Sequence, residues 1–197
     1  MWVYEKRLQV PVDIKTRDLE MAKYILAALG GSDGELNASM EYLHQRYSMP
    51  TDLSRAILTD VGTEELGHLE LVHTLIYQLT DGATEEEIKA AGFGASYALH
   101  GLGVFPANSN GVPWSASTIA VTADPIADMT ANLAAEQKAR AGYEHLINLT
   151  SDEDVRKVLG YLREREVVHF QRFGETLNSL NDYYTQNHYF FLNDLKK

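Results

Sequence analysis

A chain of 197 residues is long enough to form one domain with a buried core, and its formal net charge of −11 and lack of cysteine exclude several functions. The acidic balance argues against nucleic acid and anionic membranes as partners, because both require clustered lysine and arginine side chains. Without cysteine there can be no disulfides, zinc ribbons, thiolate nucleophiles or rubredoxin-type iron sites.

The N-terminal half of the sequence predicts an extended arm followed by helices. Residues 1–15 are of mixed character and include Pro11, which favours an extended arm. Apolar residues recur at helical spacing over residues 16–47, although the Gly30-Gly31 pair allows either one kinked helix or two short ones. A further helix is predicted from an N-cap at Thr51 to about Gln78.

A long connection follows this first pair of helices, at about residues 81–123. It begins with a capping box at residues 84–87 (Thr-Glu-Glu-Glu), which is typical of the start of a short helix. Residues 92–123 contain many glycines, prolines and small side chains and show no periodicity. Loops of this length are unusual inside a compact domain and often have a function.

Two more long helices are predicted beyond the connection. Asp124 is a candidate N-cap with proline at the first helical position, which predicts a helix to about Leu149. The dipeptide Ser151-Asp152 can cap a last helix that reaches about Leu180. Residues 183–197 then form a tail rich in tyrosine and phenylalanine.

The order of these elements predicts the fold class. Four long helices form two pairs separated by one long crossover, which is the ferritin-like arrangement of a four-helix bundle. We therefore predict an all-α protein with a single ferritin-like domain over residues 1–197, of which residues 16–182 form the bundle. Neither a signal peptide nor an apolar run of membrane-spanning length is expected, which indicates a cytoplasmic protein.

A repeat hidden in the helices selects candidate metal ligands. The pattern Glu-x-x-His places both side chains on one helix face, since three residues advance about 300°. It occurs four times, and a shift of 101 residues singles out two of the copies. Each half of the chain then supplies one lone glutamate and one Glu-x-x-His, the ligand set of dinuclear carboxylate bundles. The shift relates Glu35 to Glu136, Glu65 to Glu166, His68 to His169, Ala38 to Ala139, Tyr42 to Tyr143 and His44 to His145.

These candidate ligands indicate the kind of chemistry. Three or four carboxylates with two imidazoles form a hard, oxygen-rich site that suits manganese or ferrous iron, and ligand type alone does not choose between the two metals. Two adjacent divalent ions require several negative charges to offset their repulsion. Because such a pair can store two electrons, it suits two-electron chemistry on dioxygen or peroxide.

Spacing also predicts what surrounds the ligands. Tyr42 lies two turns from Glu35 on the same helix face, so it is expected to donate a hydrogen bond to that carboxylate. Ala38 and Ala139 follow the lone glutamates by three residues, where a small side chain leaves room for the metals. The remaining histidines are out of phase with the ligands or have no partner by spacing, and are expected to lie away from the site: His44, His73, His100, His145 and His188.

Four segments of the sequence together resemble the manganese catalase family. They are residues 30–35 (Gly-Gly-Ser-Asp-Gly-Glu), 62–70 (Gly-Thr-Glu-Glu-Leu-Gly-His-Leu-Glu), 134–140 (Ala-Ala-Glu-Gln-Lys-Ala-Arg) and 163–169 (Arg-Glu-Arg-Glu-Val-Val-His). The resemblance extends over essentially the whole chain and includes residues 111–114 (Gly-Val-Pro-Trp) of the long loop. The opening Met-Trp-Val-Tyr-Glu-Lys and the short length are similar to the spore-coat branch of this family, the CotJC-like proteins.

The resemblance implies a site for two manganese ions. Glu166 would be a catalytic acid/base outside the ligand set, although the repeat alone makes it a ligand, and Tyr42 would support the ligands without binding metal. Ala135 departs from the family pattern, since some catalases carry a shielding arginine at this position. The implied metal ligands are Glu35, Glu65, His68, Glu136 and His169, with Glu65 bridging the ions.

The implied reaction is the disproportionation of hydrogen peroxide to water and dioxygen, in peroxide detoxification or in the spore coat. The family also implies a homo-oligomer, typically a hexamer, in the cytoplasm or in the spore coat, where other coat proteins would be partners. Two alternatives stay open. One is a structural spore-coat protein whose metal site has low activity, and the other is a di-iron oxidase or peroxidase.

Overall fold

The computed structural model of the protein describes residues 7–94, 97 and 103–187. Within these ranges the regular structure is helical, apart from an isolated bridge between Ala107 and Pro113. No helix in them combines the length and the apolar character needed to cross a membrane. The helices are α1 (Leu19–Gly30), α2 (Glu35–Gln45), α3 (Asp52–Thr80), α4 (Glu85–Ala90), α5 (Pro125–Leu149) and α6 (Glu153–Asn187), with 3-10 turns at Arg46–Ser48 and Ala116–Thr118.

Four columns of helix form a bundle, and α1 and α2 together make the first column. Both of these helices pack against α3, while α5 packs against α6 and α3 joins the two pairs through α6. The long connection between α3 and α5 carries the short helix α4. The predicted all-α four-helix bundle with one crossover is confirmed.

The segment of residues 16–47 contains two helices, α1 and α2, and not one kinked helix. A Cβ atom at Gly30 would lie 2.4 Å from the backbone nitrogen of Ala107, so the crossover packs directly on the backbone at the end of α1. Gly31 then leaves the helix with extended backbone, and Gly34 caps α2. The break places Glu35 in the first turn of α2.

Local capping side chains fix where the other helices begin. The Thr51 hydroxyl accepts a hydrogen bond from the Ser54 amide at 3.1 Å, which forms a capping box for α3. Asp124 caps α5 ahead of Pro125, and the Asp152 carboxylate accepts from the amides of the first turn of α6. The predicted starts of these three helices are therefore confirmed.

Helix α6 extends further than the sequence predicts. It continues to Asn187, whereas its end was expected near Leu180. Residues 181–187 contain neither glycine nor proline, so nothing in the local sequence stops the helix. Residues 183–187 therefore belong to α6 and not to a separate tail, and residues 188–197 of the predicted aromatic tail lie outside the described residues.

Two apolar clusters fill the bundle on either side of its middle. On α3, Leu58 and Val61 belong to one cluster, and residues 71–79 contribute to the other. On α6, Phe173 and Leu180 belong to the same cluster as Leu58, whereas residues 155–162 belong to the same cluster as residues 71–79. The segments of α3 and α6 that carry both Glu-x-x-His motifs lie between the two clusters, where a continuous apolar core would otherwise be expected.

The crossover is fixed to α2 by buried polar side chains. Asn37 Oδ1 accepts hydrogen bonds from Trp114 Nε1 at 3.1 Å and from Thr118 Oγ1 at 2.6 Å. Glu41 accepts from the Ala120 amide at 2.9 Å. Because residues at this four-residue spacing share one helix face, they hold residues 114–120 along α2, close to Glu35.

Candidate metal centre

Six polar side chains from four helices meet in the middle of the bundle. All are almost completely buried, the most exposed being Glu35 at 4%. Four of them offer one ligand atom each, all within 4.8 Å of one another: Glu65, His68, Glu166 and His169. The repeat of 101 residues therefore brings together the side chains that it was used to select: Glu35, Glu65, His68, Glu136, Glu166 and His169.

The carboxylate of Glu65 lies between the two histidines. Its Oε2 atom is 2.7 Å from His68 Nδ1, and its Oε1 atom is 2.8 Å from His169 Nδ1. The two imidazole rings are stacked, with centroids 5.4 Å apart and planes at 22°. One carboxylate thus faces equivalent nitrogen atoms from both halves of the repeat.

The other carboxylates flank this arrangement at longer distances. Glu35 Oε2 lies 3.7 Å from His68 Nδ1, and Glu136 Oε2 lies 3.6 Å from His169 Nδ1, so each lone glutamate sits beside the histidine of one motif. Glu166 Oε1 is 3.8 Å from His68 Nδ1. Unlike Glu65, its repeat partner, Glu166 does not bridge the two imidazoles.

Crowding of buried carboxylates shifts their pKa values apart. Burial, with the charge of Glu65, raises the pKa of Glu35 to about 7. Burial and the charges of Glu136 and Glu65 raise the pKa of Glu166 well above its ordinary value. Burial also opposes ionisation of Glu65, but the charges of His68 and His169 outweigh it and hold its pKa far below the ordinary value. The cluster therefore favours positive charge at its centre.

The atoms in this cluster fit a metal pair. Several buried polar atoms have no hydrogen-bond partner among the described residues, although each such atom costs about 1–3 kcal/mol to bury unpaired. Oxygen and imidazole nitrogen without sulfur are the donor set that suits manganese or ferrous iron. The unpartnered atoms are Glu65 Oε1, His68 Nε2, Glu136 Oε2, Glu166 Oε1 and both ring nitrogens of His169.

Two tyrosines support the lone glutamates across the bundle. Tyr42 donates a hydrogen bond to Glu136 Oε1 at 2.5 Å, and Tyr143 donates to Glu35 Oε1. The expectation that Tyr42 bonds to Glu35 is therefore wrong. Seven residues span about 10.5 Å along a helix, which is too far for a tyrosine to reach back, whereas the neighbouring helix brings the other glutamate alongside. The sequence signal for Tyr143 is the repeat, which pairs it with Tyr42.

Glu64 is a member of the site that sequence reasoning missed. Its Oε2 atom lies 3.2 Å from His169 Nε2 and its Oε1 atom 3.6 Å from His68 Nε2, on the far side of both rings from Glu65. Burial opposes its ionisation, but contacts with His169, His68 and Arg165 hold its pKa well below the ordinary value. The available signal was its position, four residues before His68.

A cavity of about 340 Å³ reaches the centre from the surface. Glu35, Glu136 and Glu166 line it, together with a run of alanines on α2 and α5. Small side chains thus leave room beside the carboxylates, as expected from the spacing. The helical alanines that line it are Ala38, Ala131, Ala135 and Ala139, and Ala120 of the crossover also lines it.

The remaining histidines do not join the cluster within the described residues. His44 and His145 are exposed, which confirms that they face away, and His73 is half-buried elsewhere on α3. His100 and His188 lie outside the described residues.

A four-helix bundle with one crossover and a buried cluster of carboxylates and imidazoles defines a ferritin-like dinuclear metal protein. The model of the family of manganese-containing catalases matches residues 1–188, and the chain belongs to this family. It is a dimanganese catalase, an oxidoreductase that disproportionates hydrogen peroxide to water and dioxygen.

Relatives agree with this assignment. The chain is 48% identical over 182 residues to Protein CotJC of Bacillus subtilis (strain 168), covering 92% of this chain and 96% of that protein. It is 35% identical over 184 residues to a probable manganese catalase of Clostridium acetobutylicum, covering 92% and 82% of the two chains. The crystal structure of KatB, a manganese catalase from Anabaena, superposes with a TM-score of 0.83 at 34% identity, covering 92% of this chain and 81% of that one.

Proposed function

We propose that five side chains hold the two manganese ions and that Glu166 moves protons during peroxide disproportionation. The observation that carries the ligand assignment is the buried carboxylate of Glu65, whose two oxygens face the Nδ1 atoms of two imidazoles at 2.7 and 2.8 Å. This position supports the proposal that Glu65 is the ligand shared by the two ions. The proposed ligands are Glu35, Glu65, His68, Glu136 and His169.

The reaction consumes two molecules of hydrogen peroxide. One is reduced to two molecules of water and the other is oxidised to dioxygen, so electrons and protons balance within the pair. The manganese pair, when bound, supplies two-electron redox chemistry. The protein side chains hold the ions, limit access to the site and carry protons between the two halves of the reaction.

Position supports the proton-carrying role of Glu166. It lines the cavity through which peroxide would arrive, and its Oε1 atom has no hydrogen-bond partner among the described residues. It approaches one imidazole at 3.8 Å instead of lying between both. A carboxyl group placed this way can give a proton to one peroxide and take one from the next, which is the task of a general acid/base.

Metal analysis with an oxygen assay tests the function. Protein produced with manganese supplied is expected to contain about two manganese ions per chain and to evolve dioxygen from hydrogen peroxide, because the cluster offers too many ligands for one ion. Two iron ions would favour the oxidase or peroxidase alternative. Bound manganese without dioxygen evolution would favour a structural role in the spore coat, and one zinc ion per chain would contradict the dinuclear site.

We further propose that the chain folds as one ferritin-like domain and assembles as a homo-oligomer, with the hexamer typical of the family. The 48% identity to CotJC supports a place in the spore coat with other coat proteins as partners, and the cytoplasm is the alternative. Light scattering of the purified protein measures the subunit number. Fractionation of spores, followed by detection of the chain in the coat or in the cytoplasm, decides the location.

A further inference from the structure

One pair of charged residues, Glu64 and Arg165, lies beside both histidines of the site. Each residue precedes a histidine by four positions, Glu64 before His68 and Arg165 before His169. The two are related by the same shift of 101 residues that relates the candidate ligands. They carry opposite charges, so the two halves of the repeat differ in chemical character at this position.

Arg165 binds the Glu64 carboxylate through two bonds. Its Nε atom lies 2.6 Å from Oε1 and its Nη2 atom lies 3.2 Å from Oε2. Both residues are partly buried at the surface of the bundle, with side chains 27% and 18% exposed. A two-pronged contact of this kind fixes the plane of the carboxylate as well as its position.

The same two oxygens face the histidines. Oε1 lies 3.6 Å from His68 Nε2 and Oε2 lies 3.2 Å from His169 Nε2, so each oxygen faces one arginine nitrogen and one imidazole nitrogen. Neither Nε2 atom has a hydrogen-bond partner among the described residues, and both rings are fully buried. Within this pair only Glu64 can receive an Nε2–H group, because an arginine side chain has no acceptor.

We propose that Glu64, oriented by Arg165, is the shared acceptor for both imidazoles and positions them for metal binding. A hydrogen bond from Nε2–H fixes the tautomer of a histidine and leaves the Nδ1 lone pair free to bind a metal. In this structure both Nδ1 atoms already point away from Glu64, towards Glu65. The Glu64 carboxylate thereby orients two histidine ligands, one from each half of the repeat.

This inference rests on the proposed dinuclear site but is tested separately from it. Glu64→Gln keeps the shape of the side chain but replaces one acceptor oxygen with a donor. Its manganese affinity, measured by competition with a chelator, is expected to fall about 10- to 100-fold, the scale for losing a carboxylate behind a metal-bound histidine. The electron paramagnetic resonance spectrum of the bound Mn²⁺ is expected to change with it.

Arg165→Gln keeps the acceptor and removes only the residue that orients it, so a smaller loss of affinity than in Glu64→Gln is expected. The pair Arg163–Glu144, with a contact of 2.6 Å and side chains 32% and 41% exposed, is the matched control. Glu144→Gln removes a similar ion pair and is expected to leave manganese affinity unchanged. Glu64→Gln with wild-type affinity and an unchanged spectrum would show that the pair only stabilises the fold, and would overturn the proposal.

A charge exchange covers the case in which Glu64→Gln does not fold. The double variant Glu64→Arg/Arg165→Glu places the carboxylate four residues before His169, at the position that the repeat makes equivalent. It is expected to bind manganese at least 10-fold more tightly than Glu64→Arg alone. Equal affinities in the two folded proteins would refute a shared acceptor. Wild-type protein that bound no manganese would instead refute the proposed function itself.

Discussion

Replacing Tyr42 with phenylalanine removes one hydroxyl from the metal site and little else. The hydroxyl donates to Glu136 Oε1 at 2.5 Å, and both side chains are about 1% exposed. The phenylalanine ring can keep the edge-to-face contact with Phe173, whose centroid lies 4.9 Å away. The substitution therefore isolates the hydrogen bond that holds one candidate ligand.

The size of the effect follows from that bond. A buried hydrogen bond to a charged group contributes about 1.5–3 kcal/mol. Because each 1.4 kcal/mol corresponds to a factor of about ten, manganese affinity is expected to fall roughly 10- to 100-fold. The second oxygen of Glu136 has no hydrogen-bond partner in the described part of the chain, so it offers no hydrogen bond to replace the one that is lost.

Chelator competition with Mn²⁺ measures the loss, and Tyr97→Phe is the matched control. Tyr97 is also buried at 1% exposure, but its hydroxyl makes no hydrogen bond to any described residue. Loss of the Tyr97 hydroxyl should leave the manganese affinity unchanged. Tyr143→Phe should act like Tyr42→Phe, through Glu35. If Tyr42→Phe binds manganese within two-fold of the wild type, the hydroxyl does not hold a ligand and the reasoning fails.

Three further substitutions test the site and the fold. Glu65→Ala is expected to lose manganese and to lower the melting temperature, since it removes the proposed bridge; unchanged metal content would exclude Glu65 as a ligand. Glu166→Gln is expected to keep both ions while dioxygen evolution falls about 10²-fold. Loss of metal in this variant would make Glu166 a ligand. His169→Gln is the control, because it is expected to lose metal in either case. Gly30→Ala is expected to destabilise the fold by about 1–3 kcal/mol in denaturant unfolding, because its Cβ atom would meet the Ala107 backbone; wild-type stability would show that the crossover can move away.

The helices were largely predictable because their boundaries depend on neighbouring residues. Thr51 and Asp124 cap their helices through hydrogen bonds that span only two or three residues, so local sequence is sufficient. The continuation of α6 to Asn187 was not predictable in the same way, since the sequence there has neither a stop signal nor a clear continuation. The choice between one kinked helix and two at Gly30 depended on the crossover, which approaches from distant sequence.

Most side chains of the buried cluster were predictable, but Glu64 and the hydrogen-bond partners were not. Periodicity places a side chain on a helix face, and the repeat then identifies which faces meet. Which side chain bonds to which depends on how neighbouring helices are offset. Tyr42 therefore reaches Glu136 on α5 instead of Glu35 on its own helix. The repeat contained the answer, because it pairs Tyr42 with Tyr143, and two equivalent tyrosines can each support the other half's glutamate.

The repeat also explains why its two halves cannot have identical roles. Approximate twofold symmetry brings equivalent residues from the two halves towards the same place in the bundle. Only one of the two side chains can occupy that place. Glu65 occupies it on one side of the imidazoles, with its oxygens 2.7 and 2.8 Å from the two Nδ1 atoms. Its counterpart Glu166 lies 3.8 Å from one of them and lines the cavity, which supports its proposed role as a proton carrier. On the other side Glu64 faces both rings, and its counterpart Arg165 can only bind the carboxylate that is already there.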